Sequence, residues 1–259
     1  NHYLENTINH WLSRNNIDRW VLIALGDLHK WGELFVGFPS AVIAPIDCEE
    51  INPKELMTLQ QSVPIAMSAF GQRILEKHEI TAFYLHHVAE KSQTNRSKQA
   101  IRSTRHWKIP PGHFTVGIWG DFSARKSPEV MLNAWKEFAA KKDDVALWIH
   151  HSNHKQMKTD VDGLHLAHIT TTKESWSNET LLQNMKGLDA LLHCSNQEGF
   201  GVLQIEAQLN GVPVINTDFG PMPELNMRPS LVVPVNGMRD GKYGLPDAGA
   251  VLMRLESLY

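Results

Sequence analysis

Short apolar runs recur along this chain with helix-capped, amphipathic segments between them, and that alternation restricts the fold to parallel α/β sheets. The runs Arg19–Leu25, Ala41–Pro45, Val63–Met67 and Thr81–Leu85 read as strands in the first part of the sequence, Arg19–Leu25 as a buried one. Phe114–Ile118, Val145–His150, Asp189–Cys194 and Val212–Asn216 read as strands in the second. The helices between them carry start signals. Asn52-Pro53-Lys54-Glu55 places a cap, a proline at the first helical position and a glutamate three residues after the cap. Ser68 reads as the cap of Ala69–Lys77. Ser127 reads as the cap of Pro128–Ala140, whose Met131, Trp135 and Phe138 form one apolar stripe. Asn178–Met185 and Val202–Asn210 are further helices.

Residues Glu90–Pro111 carry few strand signals and end in Pro110-Pro111-Gly112, a boundary signal. The sequence therefore predicts two Rossmann-like domains facing a cleft, residues 1–108 and 109–259, with no internal repeat and no low-complexity segment. A chain of 259 residues with 42% apolar and 20% charged residues buries a core in either one large domain or two modest ones. Its net charge of −3 gives no overall preference for nucleic acid or an anionic membrane. Two cysteines, Cys48 and Cys194, exclude a disulfide framework and point to a reducing, cytoplasmic setting. No run reaches the length of a transmembrane helix and no signal peptide is visible, although peripheral membrane contact stays open.

The densest chemical signal is Glu198-Gly199-Phe200-Gly201-Val202, followed by Glu206-Ala207 and then Gly211-Val212-Pro213-Val214-Ile215. Glycines at 199 and 201 let backbone N–H groups approach a ligand, and the helix from Val202 turns the positive end of its dipole to the same spot. Carboxylates at 198 and 206 accept hydrogen bonds from hydroxyls such as those of a sugar or ribose. Arg125-Lys126, directly before the helix start at Ser127, pairs two cations with unpaired helix N–H donors, an anion-binding combination. Surface-exposed equivalents are the plain alternative: a polar helix face at Glu206, a solvated turn at Arg125-Lys126 and core packing at Phe200.

These residues resemble the retaining glycosyltransferases of the GT-B fold, in particular family 4 (group 1). The resemblance rests on the E-x7-E pattern of Glu198 and Glu206, on Ser195 and the E-G-F-G run, on G-V-P-V-I, and on Pro223-Glu224. It implies a nucleotide-diphosphate sugar as co-substrate, no other cofactor and no metal. Arg125 and Lys126 would hold the donor diphosphate, Glu198 the transferred sugar and Glu206 the ribose, with Gly199, Phe200, Gly201, Val202 and Ser127 lining the donor. On the acceptor side, Asp27 and His29 of the loop Gly26–Gly32 would position or deprotonate an acceptor hydroxyl, with Trp31 stacking on a sugar. The family often shows P-H-G-V-D where this chain has His86-His87-Val88-Ala89-Glu90. Members also begin with a strand and a glycine-rich loop upstream of where this chain opens at Asn1, so the first domain reads as incomplete.

Three weaker signals point elsewhere. Asp160-Val161-Asp162 spells a D-x-D triplet, and His150, His151 and His154 cluster, but a solvated turn explains the first and no ligand quartet accompanies the second. Lys91, Arg96, Lys98, Arg102, Arg105 and Lys108 form a basic stretch that reads as a solvated linker face rather than a surface for nucleic acid or lipid phosphate. The rival functions are a GT-B epimerase or phosphorylase, a sugar-nucleotide-binding protein without turnover, and a nucleic-acid-modifying factor.

Overall fold

The computed structural model describes residues 2–26, 38–104, 107, 109–151, 169–172 and 175–259. Contacts divide the chain into two units: Asn1–His87 with Glu198–Phe200, and Val88–Gln197 with Gly201–Tyr259.

The first unit opens with α1 (His2–Arg14) and holds β1 (Leu22–Leu25), β2 (Ser40–Ala44), α2 (Pro53–Gln60), β3 (Val63–Ala66), α3 (Ala69–Lys77) and β4 (Phe83–Tyr84). Its four strands are parallel and lie in chain order. The expected capping box forms: Asn52 Oδ1 accepts from the N–H groups of Lys54 and Glu55, each at 3.0 Å, while Glu55 accepts from Asn52 N–H. Ser68 Oγ accepts from Gly71 N–H at 2.9 Å, starting α3 as predicted. Leu59, Ile74 and Leu75 of these two helices pack with Ala24, Val42, Ala44 and Ala66 in one core. The register aligns Leu25, Ile43, Ile65 and Phe83 across the sheet. Leu25 and Phe83 in that row are 51% and 69% exposed. The expectation of a buried strand over Arg19–Leu25 is thus corrected. Side chains alternate across a strand, so Ala24 enters the core and its two neighbours in β1 do not.

The second unit contains α4 (Lys98–Arg102), β5 (Phe114–Trp119), α5 (Pro128–Ala139), β6 (Val145–His150), β7 (Ile169–Thr172), α6 (Asn178–Met185), β8 (Ala190–His193) and α7 (Val202–Leu209). It continues with β9 (Val214–Thr217), β10 (Val232–Val233), the hairpin β11 (Val235–Arg239) and β12 (Tyr243–Pro246), and α8 (Ala248–Leu258). Six parallel strands run in the order β10-β9-β8-β5-β6-β7, the doubly wound arrangement. Cores lie on both faces, which explains why β6 is buried along its whole length. Val145, Leu147 and Ile149 pack on the side of Trp135, Phe138 and Leu255. Ala146 and Trp148 pack on the side of Trp107, Met185 and Leu188.

Residues from Val88 onward group with the second unit, whereas the sequence places that boundary after residue 108. Their side chains supply the reason. Ile101, Trp107 and Ile109 enter the core beside Trp148. Arg102 pairs with Asp189 and donates to the carbonyls of Gly187 and His113, and Lys98 Nζ lies 2.9 Å from Asp189. Ser92 Oγ donates to Glu179 at 2.7 Å. Lys91, Arg96 and Lys98 of the basic stretch are exposed, as a solvated face requires, but Lys98 and the half-buried Arg102 also pair with Asp189; Arg105 and Lys108 lie outside the described residues. Asp189 also accepts from Thr115 N–H at 2.7 Å. Burial pushes its carboxyl up, but that N–H, Lys98 and Arg102 together hold it below the ordinary value.

Candidate functional site

The order of the second sheet sets the place where a ligand fits. From β5 the chain moves outward through β6 and β7, and from β8 it moves the other way through β9 and β10. The loops leaving β5 and β8 consequently diverge, opening a crevice at the carboxyl ends of two neighbouring strands. Arg125 and Lys126 sit in the loop after β5, on the single 3-10 turn Ala124–Lys126. The loop after β8 runs through Ser195 and Gln197 to Gly201.

Hydrogen bonds join these two loops. Asn196 N–H donates to Arg125 O at 2.9 Å, and Asn196 Nδ2 donates to Ala124 O at 3.3 Å. In return Arg125 Nη1 donates to Gln197 O at 3.0 Å. Both cations are half-buried. Ser127 departs from its predicted role. It takes a left-handed conformation (φ 48°, ψ 48°) and makes no side-chain cap. Its buried Oγ finds no hydrogen-bond partner among the described residues. The strain of a non-glycine residue in that region is typical of functional loops.

Helix α7 starts at Gly201 with φ 90°, and no side chain caps it. Its first N–H groups, beginning with Val202, therefore have no intrahelical acceptor and present the positive dipole end. Glu206, one turn further, is 8% exposed. Burial raises its carboxyl above the ordinary value; the N–H of Glu90 opposes the rise and the Glu90 charge adds to it. Asn210 Nδ2 donates to Glu206 O at 2.8 Å, which steadies the end of the helix.

Glu198, Gly199 and Phe200 group with the first unit. Glu198 is 8% exposed. The Phe200 ring is buried edge-on to His86, with centroids 4.9 Å apart. A Cβ on Gly199 would come within 2.4 Å of Pro45 Cβ, so only glycine fits there. Asp27, His29 and Trp31 lie outside the described residues, as do His154, Asp160 and Asp162. Among the described residues no group of three or more His, Cys, Asp or Glu side chains could hold a metal ion. No described helix is long and apolar enough to cross a membrane. His150 is stacked on Trp176 at 3.9 Å, and its Nδ1 lies 2.8 Å from Thr172 Oγ1. Burial pushes the Cys194 thiol up to about 12, which makes it an inert packing group and not a nucleophile.

Sequence reasoning missed a chain of buried amides, Gln204, Asn216 and Asn226, linking α7, β9 and the segment after it. A signal was present for two of them: Gln204 and Asn216 are amides set among apolar residues, and a buried amide needs partners.

Residues 101–234 match the family described as glycosyl transferases group 1, more than half of the chain. The chain belongs to the group 1 glycosyl transferase family. The matched segment contains Arg125, Lys126, Glu198 and Glu206. Comparison with curated proteins found no match. Among solved structures, this group 1 family member is similar to a glycosyltransferase from Rickettsia africae ESF-5 at TM-score 0.71 and 15% identity, covering 98% of this chain and 69% of that one. WaaG, a glycosyltransferase involved in lipopolysaccharide biosynthesis, matches at TM-score 0.65 and 13% identity, over 97% and 71%. TarM matches at TM-score 0.63 and 12% identity, over 92% and 48%. Identities this low carry the fold, which is of the GT-B type. The group 1 family member spans about half the length of TarM and of the pneumococcal O-GlcNAc transferase GtfA, another similar structure.

Proposed function

We propose that this protein is a retaining glycosyltransferase that moves a sugar from a nucleotide-diphosphate sugar to an acceptor hydroxyl without a catalytic metal. The observation that carries this reading is the joining of the loops after β5 and β8 through Arg125 and Gln197, directly before the uncapped start of α7. Arg125 and Lys126 supply positive charge where a diphosphate leaves, and the first N–H groups of α7 add donors aimed at its oxygens. Glu206 accepts the ribose hydroxyls, and Glu198 those of the transferred sugar.

In the proposed reaction the bond between the anomeric carbon and the diphosphate oxygen breaks, and a bond from the acceptor oxygen to that carbon forms on the same face. The acceptor proton passes to the departing diphosphate. The negative charge that develops there is offset by Arg125 and Lys126, so the step calls for no Lewis acid. Asp27 and His29 are proposed to orient the acceptor.

A thermal-shift panel of nucleotide sugars, run with and without EDTA, tests the reading. One donor should raise the melting temperature equally in both conditions, and product analysis should then find transfer rather than an isomerised donor or a sugar phosphate. A stabilising effect that disappears with EDTA would overturn metal independence, and parent-like binding by Arg125→Ala and Glu206→Ala would overturn the site.

A further inference from the structure

The buried amides beneath α7 form a relay whose polarity is set by the main chain. Arg228 N–H donates to Asn226 Oδ1 at 2.9 Å. Asn226 Nδ2 donates to Val214 O at 3.0 Å and to Asn216 Oδ1 at 2.8 Å. Asn216 Nδ2 then donates to Met222 O at 2.7 Å and to Gln204 Oε1 at 2.6 Å. A main-chain N–H only donates and a carbonyl only accepts, so the backbone partners leave Asn226 and Asn216 one orientation each, and Asn216 Nδ2 in turn fixes that of Gln204.

The relay ends on Gln204 Nε2. Gln204 is fully buried, and this nitrogen has no hydrogen-bond partner among the described residues. A buried donor left unmade is costly, and two successive amides, Asn226 and Asn216, hold this one in place. It stands at the first turn of α7: a Cβ built on Gly201 would lie 2.8 Å from Nε2. Residue 201 is glycine at φ 90°, and the missing Cβ is what lets the amide lie against the main chain at the helix start. The N–H groups of Val202 and Leu203 at the same helix start lack intrahelical acceptors. A side-chain donor therefore lies beside the main-chain donors of the helix start.

We infer that Gln204 Nε2 is a further ligand donor, hydrogen-bonding a phosphate oxygen held at the start of α7, and that Asn216 and Asn226 are the positioning residues that aim it. The inference rests on the nucleotide-sugar reading above and deepens it by adding a side chain to the diphosphate site. A glutamate at 204 would keep the acceptor that Asn216 needs but replace the donor with a charge that repels phosphate.

Calorimetric titration of the full chain with UDP, GDP and ADP, each beside its nucleoside, tests this. The nucleoside diphosphate that binds the parent should bind Gln204→Met about tenfold more weakly and Gln204→Glu about a hundredfold more weakly. The matching nucleoside should bind all three proteins alike. In the parent, the Gln204 side-chain amide resonance should move as the diphosphate saturates, a readout that needs no variant to fold. Parent-like diphosphate affinity in both variants, or an unmoved resonance at saturation, overturns the inference. If Arg125→Ala loses affinity in that case, the donor reading stands without Gln204. If the parent binds no nucleoside diphosphate, both fall.

Discussion

Arg125 donates from its guanidinium to the main-chain oxygen of Gln197 at 3.0 Å, while Asn196 N–H returns a bond to Arg125 O at 2.9 Å. The cation that would meet a diphosphate is thereby held by the loop that leads into α7. A guanidinium anchored in this way loses little freedom when it binds a ligand. Arg125→Ala should lower kcat/KM for the best donor by roughly 10²–10³-fold and lower stability by about 1 kcal/mol. Steady-state kinetics beside a denaturant melt separates the two effects. Unchanged kinetics would remove Arg125 from the reaction.

The buried carboxyl of Glu206 links stability to function in opposite directions. Its folded-state value is raised, chiefly by burial, so the folded protein binds this proton more tightly than the unfolded chain does. Stability from this group therefore falls as pH rises from the unfolded value through the folded one, and stays reduced above it. Glu206→Gln should raise the melting temperature of the ligand-free protein at pH 7, an advantage that disappears below about pH 4. The same variant should weaken nucleotide-sugar binding about a hundredfold by losing charge-assisted bonds to hydroxyls. Melting curves across pH with and without the donor check both halves.

Asp189 behaves with the reverse sign. Its carboxyl is held below the ordinary value of 3.8, so its contribution is fully present above about pH 4 and is lost as pH falls through the folded value. Asp189→Asn should destabilise the protein by about 3 kcal/mol at neutral pH, because Arg102 and Thr115 N–H lose a charged partner. The gap in melting temperature between parent and variant should close on acidification below pH 4. A gap that is the same at pH 3 and pH 7 would rule out the charge as the cause.

Gly201→Ala should cost about 2 kcal/mol, since φ is 90° and the new methyl group would sit 2.8 Å from Gln204 Nε2. Urea melts of this variant and of Gly241→Ala, a turn glycine at φ 70° with open space around its Cβ, separate the backbone cost from the clash. Equal losses would mean that the contact with Gln204 carries nothing.

Much of the fold was legible in the residues. Capping at Asn52 and Ser68 is local chemistry, and the helix stripe of Met131, Trp135 and Phe138 repeats at helical spacing, so both were read without knowledge of neighbours. The apolar run of β6 likewise declared a strand, and the cores on its two sides account for its burial along the whole length. The cap at Ser127 was misread because a serine before proline carries the same local signal whether or not the backbone turns left-handed. The pairing of Lys98 and Arg102 with Asp189 went unread because that acid lies far along the chain.

What the sequence by itself determined is most of the alternating strands and helices, their caps at Asn52 and Ser68, and a resemblance to the group 1 glycosyl transferases, because these depend on spacing within a few turns of chain. Only the tertiary structure decided that the loop of Arg125 is tied to the loop of Gln197, that residues from Val88 belong with the second sheet, and that Asn226 and Asn216 lead in a chain to Gln204. Those facts depend on strand order, and strand order follows from which apolar faces bury one another, a long-range outcome that no short window of residues records.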